Sequence, residues 1–343
     1  MPEKNFYDTQ PEISNNESFI KNLYCDEISW GFLVTSHRKK LWNVQIGLIN
    51  ELARICDKYN IKWIAYGGTL LGAARHKGFI PWDDDVDIAM LRPDYEKFKQ
   101  VAEKEIQYPY FLDNWYNHRL ESDELLGIKS DNNLPLITFE NQKKQWVGYP
   151  ACTMMKLRDS RTTMIEFPDR VKVNQGIWID IAPFDPIPPF SENEQSVVFE
   201  IAKTILMATI HPEFIINSLR NGRKFPIPQK ELEYMLQLPY QTKGIIYDKF
   251  VLENFSKSSY VGFIDEHCYH LQSYVSFKTK FFDESIQMPF EKIQVPVSVD
   301  WDEMLTSQFG DWRTPKIFQT HNVSIYSADI PYDESYKKIQ YAD

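Results

Sequence analysis

A short apolar segment that ends in two glycines constrains the fold of this chain more than any other sequence feature. Residues 62–66 read Lys-Trp-Ile-Ala-Tyr, a β-prone run that Gly67 and Gly68 follow directly. Because glycine permits a sharp turn, the pattern predicts a strand that leads into a glycine turn. Thr69 then begins a predicted helix, and this order of strand, turn and helix indicates an α/β fold.

A run of aspartates opens the next predicted strand. Residues 83–90 read Asp-Asp-Asp-Val-Asp-Ile-Ala-Met, and the alternation from Asp85 onward fits a strand. Side chains two residues apart on a strand point the same way, about 7 Å apart. Asp85 and Asp87 are therefore predicted to bind the same divalent cation. The alternation places Asp84 on the opposite side, where we expect it to fix the loop, and Asp83 is assigned a supporting position beside the ligands.

Periodicity elsewhere predicts further helices and strands. Apolar residues recur every three or four positions from Leu41 to Tyr59, which predicts a helix that ends at Asn60. Pro93 opens a predicted helix over 92–106. Strands are predicted at 110–113, 151–157, 176–181 and within 290–299, and a helix at 301–309. We expect an α/β (α+β) core in which helices flank a mixed β-sheet, with a helical insertion.

The chain divides into four predicted regions. A proline-rich stretch at 183–189 marks one boundary, and a capping box formed by Ser191 and Glu194 opens a helical region that lasts to about residue 274. The regions are an N-terminal extension at 1–40, a catalytic core at 41–190, a helical insertion on the acceptor side at 191–275, and a C-terminal segment at 276–343 that returns to the core.

Charge and composition exclude several classes of protein. A net charge of −10 opposes binding to a nucleic-acid polymer, and no apolar run is long enough for a membrane helix. The N-terminus lacks the pattern of a secretory signal. Four widely spaced cysteines suggest neither a disulfide framework nor a structural zinc site, and His267, Cys268 and His270 lack a second ligand pair. The sequence therefore predicts a cytoplasmic protein.

The glycine turn and the aspartates together suggest phosphoryl-transfer chemistry. An acidic pair alone is common in surface turns, and a glycine turn alone is commonly structural. Here the N–H groups of Gly68 and Thr69 lie where a helix N-terminus can hold phosphate oxygens, and Gly67 permits close approach. Mg²⁺ prefers oxygen ligands and keeps positions open for substrate phosphates, so the predicted cofactor is Mg²⁺ or Mn²⁺.

Four segments resemble the LicD/fukutin-related family. Residues 66–88, YGGTLLGAARHKGFIPWDDDVDI, are similar to the signature of that family. Three later segments support the resemblance: KLRDSRT at 156–162, IDIAPFD at 179–185 and FGDWRTP at 309–315. The similarity spans roughly residues 40–190 and 290–315.

The resemblance implies a phosphotransferase with the nucleotidyltransferase fold. Such an enzyme uses a CDP-linked donor, such as CDP-choline or CDP-ribitol, and transfers a phospho-alcohol group to a hydroxyl of a cell-surface glycan or glycolipid precursor. Asp85 and Asp87 would hold the metal. The third carboxylate of the family falls on Asp180, which could also act as general base, and Asp185 competes for that role.

Several cations and one aromatic residue complete the predicted site. Arg75, Lys156, Arg158 and Arg161 are candidates to bind phosphate oxygens. Lys156, Arg158 and Arg161 could equally be solvated surface charges, an alternative that the motif around Arg75 disfavours for that residue. Trp82 is expected to pack under the acidic loop. His76 either contacts phosphate or is an ordinary loop histidine.

Two alternatives and one location stay open at this point. The same carboxylates could transfer a nucleoside monophosphate from a nucleoside triphosphate, or the chain could bind a nucleotide or glycan without catalysis. The acceptor implied by the resemblance favours peripheral association with the inner face of a membrane. Basic clusters at 37–40 and 220–224 could contact anionic lipid, or they could be solvated helix ends.

Overall fold

A mixed β-sheet forms the centre of the structure, a computed structural model that describes residues 25–114, 153–165, 174–187, 197–254, 258–264, 276–316 and 326–329. Helices pack against this sheet, so the predicted mixed α/β class is confirmed. The strands are β1 (Glu27–Ser29), β2 (Phe32–Val34), β3 (Ile64–Ala65), β4 (Asp87–Leu91), β5 (Tyr110–Asp113), β6 (Met155–Asp159), β7 (Thr163–Met164), β8 (Ile177–Pro186), β9 (Tyr260–Gly262), β10 (Phe277–Lys278), β11 (Ser285–Phe290), β12 (Ile293–Ser298) and β13 (Tyr326–Ser327). The helices are α1 (Ser36–Tyr59), α2 (Gly67–His76), α3 (Arg92–Glu105), α4 (Val197–Ile210), α5 (Pro212–Arg220), α6 (Gln229–Leu236), α7 (Tyr240–Asn254) and α8 (Trp301–Phe309).

The long strand β8 organises the sheet. It pairs in parallel with β4 and antiparallel with β6, and β9 pairs with its last residues. The remaining strands extend this centre: β3 pairs with β4, β5 with β6, and β10 with β9. Residues 177–185 are all buried, as expected of a strand with neighbours on both edges and both faces covered.

Two prolines, Pro183 and Pro186, lie inside β8, which continues five residues beyond the predicted strand end at residue 181. The N–H of Asp180 donates to Val86 O on the β4 side, so the backbone at 183 points to the other edge. On that edge β6 ends opposite Ile181, so an N–H group at residue 183 would have no neighbouring strand to donate to. Pro186 points to the β4 side, where β4 ends opposite Phe184. The prolines therefore remove no ladder hydrogen bond.

Helix α1 packs against the sheet through a long buried stripe. Thr35 caps its N-terminus, since the Thr35 hydroxyl accepts a hydrogen bond from Arg38 N at 3.2 Å. The helix ends at Asn60, the predicted position, and Asn60 adopts the left-handed conformation. The helix begins five residues before the predicted start because a hydroxyl cap, rather than apolar periodicity, sets that end. It contacts β6, β8 and α3.

Helices α4 to α7 form a second packed unit with its own apolar core. This agrees with the predicted helical region only in part, because Tyr260–Gly262 is a strand that pairs with β8 well before residue 274. A strand of three residues is too short to show periodicity in sequence. The predicted capping box of Ser191 and Glu194 lies outside the described residues.

The C-terminal part returns to the core, and its helix agrees with the prediction. Helix α8 spans Trp301–Phe309 as expected and contacts α2. Strands β11 and β12 form an antiparallel hairpin that begins at Ser285, five residues before the predicted strand region. The turn of this hairpin contacts the loop before the aspartates, where Phe79 N donates to Glu291 Oε1 at 3.1 Å.

Candidate active site

The glycine turn and the acidic strand are joined by backbone and side-chain hydrogen bonds. Tyr66 N donates to Asp87 O at 3.2 Å, and Asp87 N donates to the Thr69 hydroxyl at 2.8 Å. Gly67 has φ +55°, a conformation that glycine adopts at little cost. The start of β4 is thereby held against the first turn of α2.

The glycines make room for carboxylates. A Cβ atom on Gly67 would lie 2.9 Å from Asp87 Oδ2, and one on Gly68 would lie 2.7 Å from Asp83 Oδ2 and 3.9 Å from Asp87 Oδ2. Any larger residue would collide with these oxygens. Asp83 and Asp87 therefore both lie at the positive end of the α2 dipole. The predicted phosphate contacts of Gly67, Gly68 and Thr69 stay predictions.

Three consecutive aspartates converge on a small volume. Asp83, Asp84 and Asp85 each offer a carboxylate oxygen within 4.8 Å of the others. Strand alternation predicts that Asp84 lies on the side opposite Asp85. That reasoning is wrong for this stretch because β4 begins only at Asp87, and the two-residue period does not hold before it. Asp84 is nevertheless buried, whereas Asp83, Asp85 and Asp87 are partly exposed.

Like charges crowd this group. Burial raises the pKa of Asp83 to about 9, and the nearby Asp85 carboxylate contributes to the same rise. A divalent cation would relieve this repulsion, and a donor set made only of carboxylate oxygens suits Mg²⁺ or Mn²⁺. The residues present therefore fit the predicted cofactor.

Side chains of α1 hold the backbone of the acidic loop. Arg38 Nη1 and Trp42 Nε1 donate to Asp83 O at 2.8 and 3.0 Å, and Gln45 Nε2 donates to Asp84 O at 2.8 Å. Residues 38, 42 and 45 share one face of the helix. None of these three side chains was predicted from the sequence, although a glutamine inside the apolar stripe of a helix is a usable signal.

Strand pairing brings the distant Asp180 to the carboxylates of Asp83, Asp84, Asp85 and Asp87, a group called the acidic edge. Asp87 and Asp180 are direct neighbours in the parallel pair of β4 and β8. Their side chains therefore share one face of the sheet. Lys156 on β6 is the neighbour of Asp180 on its other side, with Lys156 Nζ 3.7 Å from Asp180 Oδ1. Asp180 and Lys156 thus lie beside the carboxylates that the sequence motif contributes.

Asp185 lies elsewhere. It is five residues beyond Asp180 on β8, which places it on the opposite face. Its two oxygens accept from Arg92 Nε at 2.7 Å and Arg92 Nη2 at 2.6 Å, and Arg92 Nη1 also contacts Asp248 Oδ1 at 3.3 Å. All three residues are buried. The structure therefore does not bring Asp185, the competitor of Asp180, to the acidic edge.

The other predicted phosphate ligands are engaged in structural contacts. Arg158 is fully buried, with Nε 3.0 Å from Asp113 Oδ2, so it is neither a solvated charge nor presented to a ligand. Arg161 binds Asp159 through Nε at 3.0 Å and Nη2 at 2.7 Å. Arg75 Nη1 donates to Trp312 O at 2.8 Å. Arg75 is also at the far end of α2, about 10 Å from the glycine turn at 1.5 Å per residue.

Trp82 and His76 pack behind the acidic loop. The buried Trp82 ring contacts the rings of Phe32 at 6.2 Å and His76 at 5.9 Å. Burial, with a smaller effect of the Arg75 charge, lowers the pKa of His76 to about 4. His76 is therefore neutral near pH 7, and its Nε2 accepts from Arg75 Nε at 2.9 Å.

Several known proteins are similar to this chain in sequence. Residues 60–147 match the family model described as LicD/FKTN/FKRP, nucleotidyltransferase domain. The chain is 27% identical over 285 residues to the lipopolysaccharide cholinephosphotransferase LicD of Haemophilus influenzae. The aligned residues are 78% of this chain and 88% of that protein. An uncharacterised protein of Rickettsia typhi is 33% identical over 100 residues, which are 29% of this chain and 30% of that protein.

A shorter similarity adds to these. An uncharacterised protein of Rickettsia prowazekii is 40% identical over 63 residues, which are 18% of this chain and 24% of that protein. Within the described residues, no helix is both long and apolar enough to cross a membrane. The matched domain and the similarity along most of the chain confirm the resemblance of residues 66–88 to the LicD/fukutin-related family.

Proposed function

We propose that this protein is a metal-dependent phosphotransferase with a nucleotidyltransferase-fold core. It moves a phospho-alcohol group, of the phosphocholine or alditol phosphate type, from a CDP-linked donor to a hydroxyl of a glycan or glycolipid. One observation carries the proposal: Asp87 and Asp180 are neighbours on paired strands beside the crowded Asp83, Asp84 and Asp85. The named cholinephosphotransferase relative supports the choice of transferred group.

Each residue at the acidic edge has a proposed task. Asp85, Asp87 and Asp180 would hold Mg²⁺ or Mn²⁺, which supplies charge neutralisation to the donor phosphates when bound. Lys156 supplies a further positive charge on the other side of Asp180. Asp83 is close enough to Asp85 to join or support the ligands. Asp84 is buried, and its backbone is held by Gln45, which suits a support of the loop.

The proposed reaction is an in-line displacement at phosphorus. The acceptor hydroxyl oxygen forms a bond to the phosphorus of the transferred group, the bond from that phosphorus to CMP breaks, and Asp180 accepts the hydroxyl proton. The acidic edge binds and orients the donor. No covalent intermediate with the protein is required.

A donor panel tests the proposal. Purified protein is incubated with Mg²⁺ or Mn²⁺, a glycan or glycolipid acceptor, and CDP-choline or a CDP-alditol, and CMP release is measured. The matched control for Asp87→Asn is Asp57→Asn, an exposed aspartate on α1. We expect loss of CMP release in the first variant only. Pyrophosphate release from a nucleoside triphosphate would instead indicate nucleotidyl transfer, and nucleotide binding without turnover would indicate a recognition module.

A further inference from the structure

The ring of Trp178 on β8 contacts two buried cations. Lys156 Nζ is 4.2 Å and Arg158 Cζ is 4.9 Å from the centroid of its ring. Distances of this size allow attraction between a cation and an aromatic face. Both cations belong to β6, and Arg158 is the direct strand neighbour of Trp178. The ring plane of Trp178 is therefore held from the adjacent strand.

The polar atom of the same ring binds the proposed general base. Trp178 Nε1 donates to Asp180 Oδ2 at 3.0 Å, and Asp180 Oδ1 is 3.7 Å from Lys156 Nζ. The two oxygens of one carboxylate thus face different groups, a neutral donor and a cation. Both contacts act on the orientation of the Asp180 carboxylate.

Arg158 anchors this arrangement to a third strand. Its Nε is 3.0 Å from Asp113 Oδ2 on β5, and its Nη1 donates to Gly176 O at 3.2 Å. Because Arg158 is fully buried, its guanidinium has little freedom to move. A continuous path of contacts therefore runs from Asp113 through Arg158 and Trp178 to Asp180.

We infer that Trp178 is a positioning residue for Asp180 in the phosphotransfer reaction. This inference rests on the proposed function. Strand β8 lies between β4 and β6, so a carboxylate drawn toward Lys156 moves away from Asp87 on β4. The indole N–H opposes that movement and keeps Asp180 with the acidic edge. Groups that orient a ligating or basic carboxylate in this way commonly contribute 10- to 100-fold to affinity or activity.

Trp178→Phe tests the inference, because phenylalanine keeps the ring and removes the N–H. We expect kcat to fall about 10- to 100-fold while KM for the CDP-linked donor stays within about twofold. Trp63→Phe is the matched control, since Trp63 is buried to a similar degree and directly precedes β3, which β4 separates from β8. Equal loss of kcat in both variants, or a raised KM with unchanged kcat, would overturn the inference.

A second measurement does not depend on turnover or on the folding of the Trp178 variant. In ¹H–¹⁵N NMR spectra, the indole N–H resonance of Trp178 should move upfield in Asp180→Ala, because its acceptor is lost. The indole resonance of Trp63 should not move. An unchanged Trp178 resonance contradicts the contact. If the wild-type protein releases CMP from no donor, the proposed function fails, whereas the NMR result still supports or refutes the link between Trp178 and Asp180.

Discussion

Two groups of charged residues flank strand β8, and they differ in how their charges are arranged. On one face, Asp180 joins Asp87 and the crowded aspartates at 83–85. On the other, Asp185 and Asp248 bind the guanidinium of Arg92. Asp185 lies five positions after Asp180 on the same strand. Carboxylates that face one another suit a cation-binding site, whereas carboxylates that face an arginine form a structural ion-pair cluster.

The ion-pair cluster of Arg92, Asp185 and Asp248 links separate parts of the fold. Arg92 begins α3, Asp185 is near the end of β8, and Asp248 belongs to α7 of the helical unit. Their contacts therefore connect the sheet with the helices that the sequence assigned to the acceptor side. This comparison predicts that changes on one face of β8 alter stability, and that changes on the other alter activity.

The largest expected effect is on stability. Arg92→Met leaves the buried carboxylates of Asp185 and Asp248 without their common arginine, so we expect the free energy of unfolding to fall by about 3–5 kcal/mol. Urea denaturation measures it. Arg54→Met is the control, because the Arg54 side chain is about half exposed in its pairs with Glu51 and Glu105, and its loss should cost at most about 1 kcal/mol. Similar losses in both variants would break the comparison.

The next effect is on activity. Asp87→Asn should lower kcat/KM for the CDP-linked donor by about 100- to 1,000-fold, because a charge at the cation site is lost. Its free energy of unfolding should not fall, since removing one of several neighbouring negative charges relieves repulsion. Steady-state CMP release and urea denaturation measure the two quantities. A variant that is inactive only because it is unfolded would refute this assignment.

A smaller effect concerns the stability of the cation-free protein. Because the folded-state pKa of Asp83 is raised to about 9, the folded protein holds this proton more tightly than the unfolded chain does. The stability from the protonated form is complete below about pH 4 and declines as pH rises toward 9. Asp83→Asn should therefore raise the melting temperature in EDTA by on the order of 2–4 °C. The gain should be larger at pH 8 than at pH 5.

Addition of Mg²⁺ provides the complementary measurement for Asp83. Mg²⁺ should raise the melting temperature of the wild-type protein, because a ligand that binds the folded state stabilises it. The rise should be smaller in Asp83→Asn. An equal rise in both proteins would remove Asp83 from the cation site and would leave Asp85, Asp87 and Asp180 as the predicted ligands.

The smallest effect comes from His76 behind the acidic loop. Burial lowers its folded-state pKa to about 4, so stability from the neutral form is complete above about pH 6.5 and is lost as pH falls toward 4. His76→Gln should flatten the pH dependence of the unfolding free energy between pH 6.5 and 4. Urea denaturation at several pH values measures this. An unchanged slope would assign acid sensitivity to groups other than His76.

Local patterns in the sequence predicted the elements that depend on neighbouring residues. The strand at 110–113, the helix at 301–309 and the helix opened by Pro93 agree with the structure, because turn residues and apolar periodicity specify them. The strand through Pro183 was missed, since its tolerance depends on where β6 ends. The sequence of a strand does not encode where the strand paired with it in the sheet ends.

For the site, the sequence by itself determined the glycine turn, the run of aspartates and the family that they resemble. Only the tertiary structure decided which of the distant residues join them. Pairing of β4 with β8 places Asp180 beside Asp87, and the opposite face receives Asp185. Arg158 is buried, and its guanidinium packs against the ring of Trp178. The physical reason is that strand order and side-chain direction arise from contacts between remote segments, which no local motif encodes.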